Sequence, residues 1–383
     1  MSNSLDFLSV LSKVQQYISE RYSESLTNTD KLPQLKSYIE KYLRDMCYSV
    51  DGMDISSLTG KLYSEMAEYS ILTKYLNRED IEEINLNGWN DLGITYTDGS
   101  LEKMNEHFYS PQHAVDIVKR LLHHSNMIID NATPMSQGHL PGNTRITALK
   151  VPLVDKDRGI SVSIRLLHPS KVTREQIVKN GNATERMIDF LCMCLRYGAS
   201  FLVAGATSSG KTTLLNALLS SVPNEKRIFT IESGTRELSL VKIEDGKIVN
   251  NVVHTLSRPS DNDSYDITQD DLVVASLRFN PDIVVVGEIR DSEAHSAVEA
   301  SLTGHTVVST IHASAADAAH TRLALLCQKK FPIDFNTSLM QAAQAFPIVV
   351  FEHKLEDNSR KIMDISECVV NENGVREYPT KSH

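Results

Sequence analysis

The sequence predicts an α/β chain. A C-terminal domain built on a mostly parallel sheet follows a smaller α+β domain and an N-terminal helical appendage. Three observations predict it. From residue 185 onward, short and nearly unbroken apolar runs alternate with helical segments, as strands buried on both faces do. A glycine-rich turn at 205–212 joins one such run to a helix. From Glu82 the texture changes: 84–88 alternates and ends in a turn residue, and strand and helix patterns then succeed one another to about 169. At about 150 residues per domain, 383 residues make two or three domains.

Residues 1–75 read as the helical appendage. Leu5, Phe7, Leu8, Val10, Leu11, Val14 and Ile18 recur at helical spacing, Pro33 interrupts the pattern, and 35–46 resumes it. A packed helical cap and a partner-docking segment both fit, the cap being the plainer reading. Residues 76–169 read as the α+β domain. The run 84–88 alternates and ends in Gly88, and 94–96 leads into Asp98-Gly99, a hairpin signal. Residues 111–124 form an amphipathic helix with Val115, Val118, Leu121 and Leu122 on one face. Residues 144–152 and 159–167 read as strands, and 170–184 as a linker.

Residues 185–383 form the third region. A helix is expected over 185–197, with strands at 200–204, 227–231, 282–287 and 305–311. Asp245-Gly246 between apolar runs marks a hairpin inserted over 238–256, and the Asp-, Ser- and Asn-rich segment 258–269 reads as a loop.

Composition narrows the function. The 39 Lys and Arg against 49 Asp and Glu, a net charge of −10, argue against a chain that coats nucleic acid. Five cysteines without a CxxC pair read as free thiols in a reducing compartment. The first residues lack the basic start and apolar run of a secretory signal, and nothing approaches the ~20 apolar residues of a membrane helix. These features predict a soluble, cytoplasmic chain that reaches a membrane only through something else.

Gly205-Ala-Thr-Ser-Ser-Gly210-Lys211-Thr212 fits G-x-x-x-x-G-K-[ST] at every fixed position, after an apolar strand and before a helix. In such a turn successive backbone N–H groups face inward around phosphate oxygens, and the helix N-terminus adds its positive end. Gly205, Ala206, Thr207, Ser208, Ser209, Gly210, Lys211, Thr212 and Thr213 are therefore the candidate nucleotide-binding residues, with Lys211 on the β/γ-phosphates and the Thr212 hydroxyl on Mg²⁺. Hydrolysis needs a carboxylate near the γ-phosphate to orient or deprotonate water. Glu288, closing the run 284–287, is one candidate, and Glu232, closing 227–231, another. Each could instead be a solvated strand-end charge. Most phosphate-loop enzymes carry an Asp just before this Glu, where this chain has Gly287. His312 closes 305–311, open to two readings: a hydrogen-bonding partner of phosphate or carboxylate, or a structural histidine.

Together these blocks resemble the secretion ATPases of type II and type IV secretion and of type IV pili, most nearly the CpaF-type ATPases of Tad pili and conjugation systems. The resemblance covers about 82–351. It rests on the Walker A block 205–212, an Asp-box segment from Thr230-Ile-Glu232 to Glu237-Leu238, a Walker B block from 277 to Glu293, and a His box over 303–313. The runs 83–88, 142–145 and 160–165 also match.

The resemblance implies a RecA-like ATPase domain behind a PAS-like one. It also implies ATP and Mg²⁺ as cofactors, a homo-hexameric ring, and docking at the cytoplasmic face of a membrane on platform proteins of a pilus or secretion apparatus. It implies a catalytic role for Glu288, water or metal positioning for Glu232, and a His-box role for His305 and His312. Arg145 and Arg165 would reach the nucleotide phosphates from the N-terminal domain, and Arg278 and Arg290 would be interface or charge-sensing residues. The Asp-box segment departs from the usual I-E-D-T-x-E-L, being one residue longer and lacking the second acid. The leading expectation is an ATPase motor for pilus assembly, conjugation or secretion. Alternatives are a non-hydrolysing nucleotide switch or scaffold, and a nucleic-acid motor.

Overall fold

A computed structural model describes residues 3–22, 32–168, 172–258, 266–371 and 374–379. It divides into two compact units, Met1–Leu166 and Leu167–His383.

The first unit opens with three helices, α1 (Phe7–Arg21), α2 (Leu32–Asp45) and α3 (Ile55–Ala67). Asp6 and Asp54 cap α1 and α3 by accepting from the N–H groups of Ser9 and Ser57. Pro33 does not break a helix. It sits in the first turn of α2, where its missing N–H costs nothing. Val10, Val14 and Ile18 meet Leu35, Ile39, Leu43, Leu58 and Leu62 in one apolar cluster. Tyr17 stacks on Tyr42 with ring centroids 4.0 Å apart.

A six-stranded antiparallel sheet follows: β1 (Ile81–Gly88), β2 (Asp91–Tyr96), β3 (Leu101–Met104), β4 (Met135–Leu140), β5 (Thr144–Lys150) and β6 (Ile160–Leu166), in the order β3-β2-β1-β6-β5-β4. Strand β4 carries no clear alternating signal, and the sequence reading passed over it. It is an edge strand held by its ladder to β5. Helix α4 (Pro111–His123) buries Val115, Val118, Leu121 and Leu122 against Ile84, Ile94, Ile146 and Ile164. Arg120 of α4 donates to the carbonyls of Glu65 (2.9 Å) and Met66 (3.0 Å) at the end of α3.

The second unit holds an eight-stranded sheet. Its strands are β7 (Phe201–Gly205), β8 (Arg227–Ser233), β9 (Asn251–Ser257), β10 (Ile283–Ile289), β11 (Thr306–His312), β12 (Ile348–Lys354), β13 (Arg360–Asn371) and β14 (Gly374–Pro379). Their order is β9-β8-β10-β11-β7-β12-β13-β14, parallel from β9 to β12, with the last two antiparallel.

Alternate residues of each central strand enter different cores, which is why these strands read as unbroken apolar runs. Phe201, Val203, Val285 and Val308 pack with helices α5 (Arg174–Lys179), α6 (Glu185–Tyr197) and α7 (Lys211–Ser220). Leu202, Ala204, Val284, Val286 and Val307 pack on the other face. There they meet α8 (Gln269–Ser276), α9 (Glu293–Leu302), α10 (Ala316–Cys327) and α11 (Phe335–Ala345).

Three further expectations change here. The segment expected as a linker over 170–184 contains α5, whose start Thr173 and Gln176 secure with a capping box, while 169–171 lie outside the described residues. The hairpin expected over 238–256 is confined to Ile243–Glu244 and Lys247–Ile248, and the rest of its second arm is β9, an edge strand parallel to β8. Of the loop expected over 258–269, residues 259–265 lie outside the described residues. Arg258 and Ile267 bridge its ends, and Gln269 already opens α8. Among the described residues no helix is long and apolar enough to cross a membrane.

Candidate functional site

Parallel pairing aligns the C-terminal ends of β8, β10, β11, β7 and β12 along one edge, where open α/β sheets bind ligands. The glycine-rich turn leaves β7 at Gly205 and enters α7 at Lys211. Ser208 and Gly210 take left-handed backbone angles, φ 59° and 109°. Gly210 is needed twice over, because a Cβ there would also stand 2.5 Å from a Glu352 carboxyl oxygen. The exposed Ala206, Thr207 and Ser208 form the rim. Ser209 is buried, and its hydroxyl has no hydrogen-bond partner. Lys211 folds back, its Nζ donating to the carbonyls of Gly205 (3.1 Å) and Ala206 (2.6 Å). Burial lowers its pKa, against the pull of Glu288 and Glu352. Thr212 and Thr213 open α7, half-buried.

Glu288 stands near the end of β10. Arg290 donates to its Oε2, and His312 Nε2 lies 2.9 Å from Oε1, out of hydrogen-bond alignment. Burial pushes the Glu288 carboxyl up. The Arg290 hydrogen bond and charge, with His312 and Lys211, outweigh that and hold it below its ordinary value. His312 ends β11 opposite Gly205 and is itself shifted down by burial and by Lys211. Thr310, two residues earlier, donates to the Gly287 carbonyl at 2.8 Å and ties β11 to the strand that carries Glu288. Glu293 serves structure, accepting from the N–H groups of Arg290 (2.6 Å) and Asp291 (2.9 Å) ahead of α9.

Glu232 is the last residue but one of β8 and is buried. Its Oε1 accepts from the N–H groups of Glu237 (2.7 Å) and Leu238 (3.0 Å), while Oε2 has no partner. Burial pushes it up to about 7, against those two hydrogen bonds. Gly287 lies beside it on β10, and a Cβ there would come within 3.1 Å of Glu232 Cγ. The glycine that displaces the usual Asp therefore makes room for a neighbouring carboxyl.

Lys211, Glu288 and His312 are thus brought to one edge, with Glu232 on the strand next to β10. His305 is not with them: it precedes β11, at the end of the strand opposite His312. Arg278 is exposed on the turn Leu277–Phe279. Arg145 and Arg165 belong to the first unit, where they oppose each other across β5 and β6 on the face turned from the core, and Arg165 pairs with Glu82 at 3.2 Å. Among the described residues no three His, Cys, Asp or Glu form a metal cluster. A Mg²⁺ held by phosphates, water and one hydroxyl does not require one. The Gly210 turn, the buried Ser209 hydroxyl and Lys211 suit a polyphosphate.

Two residues at this edge escaped the sequence reading. Glu352 stands beside Gly205 on β12, two residues before that strand ends, and Arg360 opens β13 and donates to the Ser208 carbonyl at 3.0 Å. The signal was present: 348–352, Ile-Val-Val-Phe-Glu, is an apolar run ending in Glu, as are 228–232 and 283–288.

A family profile described as "Type II/IV secretion system protein" matches residues 69–377. The uncharacterized protein MJ0781 of Methanocaldococcus jannaschii is 32% identical over 279 residues, covering 71% of this chain and 37% of that protein. The type IV secretion system protein PtlH of Bordetella pertussis is 34% identical over 184 residues, covering 46% of this chain and 52% of PtlH. The chain thus spans between about a third and a half of the length of these curated relatives. The Legionella pneumophila ATPase DotB shares the fold, with a TM-score of 0.52 at 18% identity over 78% of this chain and 79% of DotB.

Proposed function

The chain belongs to the type II/IV secretion system protein family, and from that premise we propose that it is a Mg²⁺-dependent ATPase motor of a secretion or pilus apparatus. One observation carries the proposal. Lys211 of a complete phosphate loop after β7 and Glu288 of β10, with only β11 between the two strands, come to one sheet edge, close enough for each to shift the other's pKa. In this reading the 205–210 turn cradles the β- and γ-phosphates, and Lys211 turns from the Gly205 and Ala206 carbonyls to them. The Thr212 hydroxyl would hold Mg²⁺, which when bound screens phosphate charge. Glu288, kept ionised by Arg290, orients or deprotonates the attacking water. His312 and Thr310 fix the strand ends around it. Glu232 supports the site through the 237–238 backbone and keeps one oxygen free for a water.

For Arg145 and Arg165 we keep the phosphate-recognition role that the sequence resemblance implies. The CpaF-like branch, a homo-hexameric ring and a membrane platform partner complete the reading. Their support is the sequence resemblance.

The test is Mg²⁺-dependent ATP turnover per protomer across protein concentrations. A motor with shared sites gains turnover cooperatively with concentration, Lys211→Ala loses nucleotide binding, and Glu288→Gln keeps binding and loses turnover. Undiminished turnover in Glu288→Gln would refute its role. One observation favours a second reading, a nucleotide switch that hardly hydrolyses: Gly287 leaves no acid beside Glu288. Binding without turnover at every concentration would select it.

A further inference from the structure

Glu352 is a buried carboxyl to which the chemistry above gives no role. It is 4% exposed, and its Oε2 has no partner. Such a group costs stability, so its presence calls for a reason. Strand β12 lies parallel to β7 and sets Glu352 opposite Gly205, directly against the phosphate loop. Two loop glycines make room for it. A Cβ on Gly205 would collide with the Glu352 carbonyl oxygen, and one on Gly210 would stand 2.5 Å from its carboxyl. Arg360, on the next strand, reaches the same loop. Its Nε donates to the Ser208 carbonyl at 3.0 Å, across 152 residues of chain, and its Cδ lies 3.0 Å from a Cβ on Gly210.

We propose that Glu352 and Arg360 are positioning residues for the nucleotide site, a clamp on the outer face of the loop that holds 205–210 in its phosphate-binding turn. The proposal rests on the nucleotide reading of that loop. The division of labour follows from backbone geometry. In a phosphate cradle the N–H groups face the ligand, leaving carbonyls such as that of Ser208 to be held from behind. Arg360 holds that carbonyl with a charge-assisted bond, and Glu352 fills the floor beneath Gly205 and Gly210. Lys211 and Arg360 are the cations that act on the Glu352 carboxyl, and burial still pushes it up to about 8. At neutral pH it is therefore mostly uncharged and packs as a shaped polar group. Neither residue acts on the phosphates directly. Both act by pre-organising the loop, so the effect falls on affinity.

Titration of a fluorescent ATP analogue, steady-state turnover and hydrogen exchange of 205–212 without nucleotide test this on wild type, Glu352→Ala, Glu352→Gln and Arg360→Ala. The two alanine variants should bind about tenfold more weakly and show KM raised by the same factor, with kcat within about twofold of wild type. Their 205–212 amides should exchange faster while β10 stays protected. Glu352→Gln keeps shape and neutrality and should restore most of the affinity. Should Glu352→Ala fail to fold, Glu352→Gln and Arg360→Ala decide. Unchanged affinity and exchange in Arg360→Ala, or a Gln variant as impaired as Ala, would overturn the clamp. A wild type that binds no nucleotide would overturn the reading of the loop. Faster exchange in the alanine variants would still support the clamp in that case, and unchanged exchange would remove it.

Discussion

Replacing Gly287 by aspartate restores the acid that phosphate-loop enzymes commonly carry before the catalytic Glu. The expected result is damage. A Cβ at 287 would stand 3.1 Å from Glu232 Cγ and 3.4 Å from the Ile231 carbonyl. Glu232 has no room to withdraw, because it is 4% exposed and its Oε1 is held by two backbone N–H groups. Overpacking of this kind costs about 1–3 kcal/mol. Breaking one hydrogen bond to a charged group adds about 1.5–3 kcal/mol. A second carboxylate beside Glu232 further disfavours ionising both. A total of about 2.5–6 kcal/mol in a unit of this size lowers Tm by roughly 5–24 °C. Gly287→Ala separates contact from charge and should lose only the contact part, about 1–3 kcal/mol. The assay is thermal unfolding by circular dichroism at pH 7.5, with Mg²⁺-ATP turnover measured alongside. An aspartate variant that unfolds within about a degree of wild type and turns over faster would refute the reasoning. Gly287 would then be only a missing metal-side acid.

Further outcomes are expected elsewhere in the molecule. Glu232 has a native pKa near 7 against an ordinary 4.5, so its contribution to stability is complete below about pH 4.5 and is lost as pH rises through 7. The loss amounts to about 3 kcal/mol, and Glu232→Gln should flatten that limb of Tm against pH, whereas parallel curves would contradict the shift. Thr310→Val removes the bond to the Gly287 carbonyl. It should lower turnover about tenfold or more while shifting Tm by a few degrees at most, which paired kinetics and melting would show. Arg120→Met leaves the Glu65 and Met66 carbonyls unpaired at the end of α3 and should cost about 2–3 kcal/mol, seen as early loss of exchange protection in 55–67.

Wherever a short stretch of chain carried its own physics, the sequence was enough. The turn 205–212 is one case, since its motif is a fixed spacing of glycines, lysine and threonine along a strand, loop and helix. Helix Glu185–Tyr197 is another. It has Thr184 as its N-cap and closes on Gly198 at φ 82°, and both ends were legible because capping is local. The unbroken apolar runs of β8, β10 and β11 likewise announced strands buried on both faces. Only the tertiary structure could decide which strands are neighbours. It set β12 beside β7, so that a Glu from the far end of the chain fills the space under Gly205 and Gly210. It also set β8 beside β10, so that Glu232 occupies the room an Asp at 287 would need. A vacancy beside a glycine has no signature in the glycine's own neighbourhood. What fills it depends on strand order, which follows from how the whole sheet buries its two faces.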